Sequence, residues 1–141
     1  MSARPFAWCR VPLTLAALPE TPVDAVQEIG MNAPGEISAL SAIAQPDIAV
    51  ITRIADSHAG FFDSLDDIAD AKAEIFDGLR AGGTAILNRD DAYFEGLAAR
   101  ARNAGAAEII SFGINDNADF RLVSAERLTD GMGVNAQARG T

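Results

Sequence analysis

The runs that decide the fold are DIAVITRI at Asp47–Ile54, SLDDIADAKAEIFDGL at Ser64–Leu79 and TAILN at Thr84–Asn88. The first is mostly apolar and β-branched, which is typical of a strand covered on both faces. The second carries apolar residues on one side and acidic residues on the other at the helical period, and Ser64 with Asp67 makes an approximate capping box at its start. A strand, a helix and a second strand in this order predict a βαβ unit with parallel strands.

The segments on either side extend this alternation. We predict further strands at Val23–Ile29 and Glu108–Phe112, and helices at Val11–Leu18, Gly35–Ala44 and Asp90–Asn103. Residues 119–124 could form another strand, whereas 129–141 are expected to be unstructured. The fold class is therefore α/β with a mainly parallel sheet.

Composition narrows the function classes. The chain has 141 residues, 22% of them charged, and a formal net charge of −9. Such acidity argues against binding to nucleic acid, whose phosphates need a basic surface, but it leaves room for a nucleotide neutralised by a metal ion or by backbone N–H groups. The single cysteine, Cys9, cannot form an internal disulfide, so we expect a reducing compartment. With no run of 18 apolar residues and no leader pattern, we expect a cytoplasmic protein that does not bind membranes.

Lys72 is the only lysine, and the helical period places it among apolar residues. Its apolar neighbours on the wheel are Leu65, Ile68, Ile75, Phe76 and Leu79, and the acidic residues opposite are Asp66, Asp67, Asp70, Glu74 and Asp77. One interpretation is a lysine whose stem packs on these neighbours while the amine reaches solvent. The other is a functional amine at the edge of the core, where burial favours its neutral form.

Polar residues follow three of the predicted strands. Glu28 closes the first, His58 lies four residues after the second, and the third ends in the turn Asn88–Asp91. Because ligands of parallel sheets bind beyond the carboxyl ends of the strands, these residues and Lys72 are candidates for one cleft.

Each candidate also has a plain structural interpretation. Glu28 could simply solvate a strand end, and His58 could be a surface histidine. The stretch 88–91, with Asn88, Asp90 and Asp91, could equally be a turn and a helix N-cap.

Several blocks of this sequence resemble the Mur ligases, which are the ATP-dependent amide-bond-forming enzymes of peptidoglycan synthesis. QEIGMNAPGEI at Gln27–Ile37 is similar to the family's E-x-G-x-N-x-x-G-E-I block. Five further blocks follow the family's order and spacing: AQPDIAVIT at 44–52, His58, FFDSL at 61–65, AKAEIF at 71–76 and GTAILNRDD at 83–91. The likeness covers about 11–125, which implies an incomplete central ATPase domain of partial three-layer α/β/α type. We expect an irregular segment before this domain, at 1–10, and an irregular tail after it, at 126–141.

The blocks are most similar to those of one activity within the family. The resemblance implies a ligase that joins D-alanyl-D-alanine to UDP-N-acetylmuramoyl-tripeptide, with ATP and Mg²⁺ as cofactors. ATP would phosphorylate the tripeptide carboxylate, and the amine of the dipeptide would then displace phosphate. Phosphoryl transfer of this kind depends on positioning and charge neutralisation more than on covalent help from the protein.

The resemblance also assigns roles to the candidate residues. It implies that Glu28 and His58 hold magnesium, and that Lys72 is carbamylated by carbon dioxide and so becomes an anionic partner of the metal. His58 and Lys72 are thus the implied catalytic residues. The resemblance further implies that Asn88 approaches the adenine and that Asp90 and Asp91 lie near the ribose. Asn32 and Glu36 belong to the signature block.

This sequence also departs from the family pattern. The phosphate-binding pattern G-x-x-x-x-G-K-[ST] does not occur in it, Arg53 stands where the family usually has asparagine, and the residues after His58 differ. The N-terminal and C-terminal ligase domains have no counterpart in it either. We therefore expect this chain alone to be inactive in ligation, with poor solubility from an exposed sheet edge. The alternatives are a non-catalytic remnant or binding module that keeps only the scaffold, and a gene whose other parts lie outside this reading frame.

Overall fold

The computed structural model describes residues 7–20, 24–56 and 61–139, and within these ranges one sheet of five strands forms the centre of the molecule. The strands follow each other in the sheet in chain order: β1 (Ile48–Ile51), β2 (Thr84–Asn88), β3 (Glu108–Gly113), β4 (Phe120–Arg127) and β5 (Met132–Ala138). β1 to β4 pair in parallel, and β5 pairs antiparallel with β4. The prediction of an α/β fold with a mainly parallel sheet is confirmed.

The helices are α1 (Ala7–Ala16), α2 (Glu36–Ala44), α3 (Leu65–Ala73) and α4 (Phe94–Asn103). The helix predicted for 64–79 changes to a 3-10 turn at Glu74–Gly78. The N-cap half of the predicted capping box is confirmed, since Ser64 Oγ accepts the Asp67 N–H at 3.1 Å. The Asp67 carboxylate accepts a bond from the Ser64 hydroxyl at 2.7 Å and not from its backbone N–H. In the described ranges no helix has the length and apolar character needed to cross a membrane.

The hydrophobic core lies on one face of the sheet. Alternate residues of β1 and β2 are buried there, because successive side chains of a strand point to opposite faces. They form one cluster with the inner sides of α3 and α4, in which the sheet contributes Ala49, Ile51, Ala85 and Leu87 and the helices contribute Ile68, Ala71, Leu97, Ala98 and Ala101. In the described part of the chain, α3 and α4 therefore cover one face of the sheet, which forms two layers of the partial three-layer arrangement.

The opposite face of the sheet carries apolar side chains that are only partly covered. Ile48 is 56% exposed and Val50 is 46% exposed. The strand register places Val50, Ile86 and Ile110 side by side, and Phe112 beside Phe120. We call this surface the open face; its residues are Ile48, Val50, Ile86, Ile110, Phe112, Phe120 and Leu122.

β3 and β4 are paired over a short length. Their register joins Phe112 to Phe120 and Gly113 to Arg121 only, so β4 begins level with the end of β3. The rest of β4 therefore continues past the sheet with β5 as a two-stranded ribbon, residues 122–136, whose side chains are mostly exposed. Asp119 holds its base, accepting from the Ser111 N–H at 2.9 Å, the Ser111 hydroxyl at 2.6 Å and the Arg139 guanidinium at 2.8 Å.

The ends of the chain differ from the sequence predictions. The prediction of a strand at 23–29 is wrong over 24–29, because these residues have no regular structure. Val26 among them is 98% exposed. A strand persists only when a neighbour pairs its backbone, and the described ranges offer 24–29 none. The prediction of an irregular tail at 126–141 is wrong over 126–127, which end β4, and over 132–138, which form β5. Residues 7–10 belong to α1 and not to an irregular segment. Residues 1–6 and 140–141 lie outside the described residues, and 11–125 as domain limits stay a prediction.

Candidate functional site

The turn that follows β2 connects the ends of neighbouring strands. The Asn88 side-chain NH₂ donates to the Thr52 carbonyl at 3.0 Å, and its Oδ1 accepts the Asp90 N–H at 2.9 Å. One oxygen of Asp91 accepts the Ile54 N–H at 2.7 Å. The chain leaving β1 is therefore fixed to the carboxyl end of β2 by two side chains that the sequence singled out.

Asp90 makes the corresponding connection to β3. Its carboxylate accepts the N–H groups of Ile114 at 2.7 Å and Asn115 at 2.9 Å. A Cβ on Gly113 would meet this carboxylate and displace it, and the φ of 153° at Gly113 also favours glycine. Asn88, Asp90 and Asp91 thus lie together at the carboxyl edge of the sheet, as predicted, and all three bond to the backbone.

Tyr93 adds a contact between two helices beside this turn. Its backbone N–H donates to the second oxygen of Asp91 at 2.9 Å, and its hydroxyl donates to the Asp66 carboxylate of α3 at 2.6 Å. The hydrogen bond to Asp66 raises the pKa of the Tyr93 hydroxyl, because the bond and the neighbouring negative charge both favour the protonated form. Tyr93 is therefore a neutral donor at physiological pH.

The signature block folds into a turn before α2. Glu36 accepts the backbone N–H of Asn32 at 2.7 Å and that of Ala33 at 3.3 Å. Met31 inserts into the core with 3% exposure, and Gly35 adopts a left-handed φ of 86° that favours glycine. Glu36 therefore stabilises the turn, whereas Asn32 takes part through its backbone and its side chain is half-buried.

Glu74 is a residue whose role the sequence reasoning missed. The helical wheel placed it on the acidic, solvent-facing side, yet it is half-buried and accepts the N–H groups of Gly35 at 2.6 Å and Ser38 at 3.2 Å. It thereby caps the N-terminus of α2, where Gly35 offers no capping side chain. The signal available in the sequence was the glycine at the N-cap, which leaves these N–H groups in need of an acceptor from elsewhere.

Lys72 lies in the last turn of α3 and is half-buried between Ala71 and Ala73, which are both buried. Among the described residues its amine has no hydrogen-bond or ion-pair partner. Glu28 is exposed in the irregular segment before α2. His58 falls outside the described residues, so its position relative to Lys72 and Glu28 stays a prediction.

The segment on either side of residues 57–60 surrounds a shallow depression of about 280 Å³. The lining residues are Asp56, Phe62, Asp63, Ser64, Leu65 and Ile68. Over 7–20, 24–56 and 61–139 no three histidine, cysteine, aspartate or glutamate side chains come together as a metal site would require. The magnesium site of Glu28, His58 and Lys72 therefore stays a prediction.

Known proteins resemble this chain in sequence. A family model described as the Mur ligase middle domain matches residues 7–138. UDP-N-acetylmuramoyl-tripeptide–D-alanyl-D-alanine ligase of Bacillus subtilis (strain 168) is 37% identical over 121 residues, which cover 86% of this chain and 25% of that protein. The chain thus spans about a quarter of the length of this relative.

Solved structures agree with the sequence match. A crystal structure of MurF from Acinetobacter baumannii superposes with a TM-score of 0.80 at 30% identity, covering 91% of this chain and 27% of that one. MurF ligase from Thermotoga maritima in complex with ADP has a TM-score of 0.63 at 25% identity, covering 74% of this chain and 23% of that one. Together with the family match over 7–138, these similarities show that the chain belongs to the Mur ligase middle-domain family.

Proposed function

We propose that this chain is part of an ATP-dependent ligase that joins D-alanyl-D-alanine to UDP-N-acetylmuramoyl-tripeptide through an acyl-phosphate. The observation that carries the proposal is the 37% identity over 121 residues to a ligase with that name. The chain would supply the middle domain, with 11–125 as its main body. The partners would be the two substrates and the N-terminal and C-terminal ligase domains. Because one substrate is linked to a nucleotide and the reaction uses ATP, we propose a cytoplasmic location.

The proposed cofactors are ATP and Mg²⁺, with Glu28, His58 and carbamylated Lys72 as the metal ligands. Two of the three groups suit the ion, because Mg²⁺ prefers oxygen ligands and the Glu28 carboxylate and a Lys72 carbamate would supply them, together with phosphates. His58 would add an imidazole nitrogen, which Mg²⁺ takes less readily. Glu28 offers an exposed carboxylate, and the half-buried Lys72 amine is not paired with a described residue, which leaves it available to carbon dioxide. The ion would neutralise charge on the transferred phosphoryl group.

The proposed nucleotide contacts are Asn88 for the adenine and Asp90 and Asp91 for the ribose. Both polar ends of the Asn88 amide already bond within the protein. A carboxylate oxygen can accept more than one hydrogen bond, so Asp90 and Asp91 keep acceptor capacity toward ribose hydroxyls while they hold the strand ends in place. Asn32 and Glu36 would shape the turn beside the metal ligands.

Titration calorimetry of the chain with ADP and Mg²⁺ tests this proposal. We expect binding that Glu28→Gln and Asp90→Asn each weaken, since the first removes a proposed magnesium ligand and the second an acceptor proposed for the ribose hydroxyls. Glu20→Gln is the matched control, because Glu20 is exposed and lies outside the proposed site. Equal affinity of all four proteins, or no magnesium dependence, would contradict the assignment of residues.

A second candidate function is a binding module without catalysis. One observation in its favour is that Asn88, Asp90 and Asp91 bond to the backbone, which gives these side chains a structural role. Another is Arg53, a cation at an exposed position after β1. Calorimetry separates the two, since such a module should bind an ATP analogue with Mg²⁺ no tighter than about millimolar, roughly 4 kcal/mol of binding free energy. A coupled assay of ATP turnover with the tripeptide substrate then tests whether this chain alone has activity.

A further inference from the structure

The N-terminus of α2 is capped by a carboxylate from a distant part of the chain. Glu74 Oε1 accepts the Gly35 N–H at 2.6 Å and Oε2 accepts the Ser38 N–H at 3.2 Å. These groups have no partner within the helix, and the positive end of the helix dipole strengthens their attraction to a negative charge. One side chain therefore connects α2 to the turn that ends α3.

The same turn is packed closely against α2. Ser41 of α2 is fully buried, and its hydroxyl donates to the Ile75 carbonyl at 2.6 Å. A Cβ on Gly78 would collide with the Ser41 backbone, so the two backbones lie in direct contact. Glu74 is the charged member of this interface, and it binds the first N–H groups of α2.

The two sides of this interface carry two of the proposed metal ligands. Lys72 lies two residues before Glu74 at the end of α3, and Glu28 lies in the segment that enters the turn before α2. That turn is itself held by Glu36, which binds the Asn32 N–H, and by the buried Met31. A displacement of α2 relative to the 74–78 turn would therefore move Glu28 relative to Lys72.

We propose that Glu74 is a positioning residue, which by capping α2 fixes the segment of Glu28 relative to the helix end of Lys72. The inference rests on the proposed function only in naming those two residues as metal ligands. Glu74 itself does not have to touch metal, nucleotide or substrate for this role.

Pulsed electron paramagnetic resonance measures this positioning directly. In a Cys9→Ser background, spin labels at Val26→Cys and Asp70→Cys report on the two segments from exposed positions. With Glu74 intact we expect a narrow distance distribution. Glu74→Ala should shift or broaden it, because two N–H groups of α2 lose their acceptor.

Two further variants complete the experiment. Asp77→Asn removes a carboxylate from the same turn, at an exposed position without a partner in the described ranges, and should leave the distribution unchanged. Glu74→Gln keeps one acceptor oxygen and should give an intermediate width; it decides the question if Glu74→Ala fails to fold. Exchange of the Gly35 and Ser38 amide protons should also quicken about tenfold or more in the alanine variant.

The outcomes separate this inference from the proposed function. An unchanged distribution in both Glu74 variants, or an equal effect of Asp77→Asn, would overturn the positioning role. The distance needs neither nucleotide nor metal, so a chain that binds no ADP but loses its narrow distribution on Glu74→Ala would reject the proposed function and still support the positioning role.

Discussion

Two glycines show how strongly the space around a single residue decides the effect of one methyl group. Gly78→Ala would place its Cβ against the Ser41 backbone, whereas a Cβ on Gly96 in α4 meets nothing within 4 Å. We expect Gly78→Ala to lower the free energy of unfolding by about 1–3 kcal/mol, as overpacking does. Gly96→Ala should raise it by about 0.5–1 kcal/mol, the gain of alanine over glycine in a helix.

Urea denaturation of the two variants beside the parent chain checks this pair. Because both changes add the same methyl group, the sign of the difference isolates the packing at each position. A neutral Gly78→Ala would mean that α2 and the 74–78 turn are less closely packed than the structure has them.

Asp119 makes stability depend on pH. Its hydrogen bonds from the Ser111 hydroxyl and N–H, with a smaller effect of the Arg139 guanidinium, hold the pKa of Asp119 below its ordinary value. A lowered pKa in the folded state stabilises the protein above the ordinary aspartate pKa of about 4, and this stabilisation is lost as the pH falls through the lowered value. We expect Asp119→Asn to be less stable than the parent at pH 7, with the difference shrinking below about pH 4.

Urea midpoints at pH 7 and pH 3 measure the effect. Asp130→Asn is the control, because Asp130 is exposed and has no partner in the described part of the chain. A stability difference between Asp119→Asn and the parent that stays constant with pH would rule out Asp119 as the titrating group.

At the scale of single residues, the sequence identified positions better than contacts. It placed Asn88, Asp90 and Asp91 at the end of a strand, because strand ends follow from the hydrophobic pattern. It did not reveal that all three bond to backbone that follows the neighbouring strands β1 and β3, nor that Glu74 caps α2, because such bonds join segments far apart in sequence. The wheel was right that Ile68 and Phe76 are buried and wrong for Leu65, which is exposed.

Among the elements, α3 depends on the cap at its first turn. Ser64 Oγ accepts the Asp67 N–H, one of the donors that a helix leaves unpaired at its start. Ser64→Ala should destabilise the protein by about 1 kcal/mol, the usual cost of losing an N-cap. Ser64→Thr keeps a hydroxyl and should cost much less; thermal melts of both variants test this, and equal losses would show that the hydroxyl is not the cause.

The elements that the sequence predicted well share a strong local pattern. β1, β2 and β3 are apolar or β-branched runs, and α2 and α4 follow the helical period, so the predictions agree with the structure apart from shifts at their ends. The failures at 24–29 and 132–138 have opposite causes. Residues 24–29 have strand-forming residues but no neighbour to pair with among the residues that the structure describes. MGVNAQA in β5 has weak propensity and pairs because β4 provides a partner.

For the whole molecule, the open face predicts self-association. Parallel sheets are ordinarily covered on both faces, and here Ile48 and Val50 lie on an edge strand with about half of their surface in contact with solvent. The net charge of −9 opposes contact between copies, so association should grow as salt screens that charge.

Sedimentation velocity at several salt concentrations measures this association. Val50→Lys should reduce it, since a lysine on an edge strand blocks face and edge contacts. Val26→Lys makes the same change of charge at a fully solvated position outside the open face and should not reduce association. A parent chain that stays monomeric at high salt would contradict the prediction.

The short pairing of β3 with β4 affects where the chain tolerates inserted residues. The ribbon joins the sheet through Phe112–Phe120, Gly113–Arg121 and the bonds of Asp119. Its tip at 128–131 is exposed and contributes no residue to the core cluster. Extra residues inserted at that tip would lengthen a solvent-exposed hairpin without disturbing the arrangement of β1, β2 and β3. The tip is thus a natural place to graft a tag or a reporter, with the ribbon serving as a spacer between the graft and the sheet.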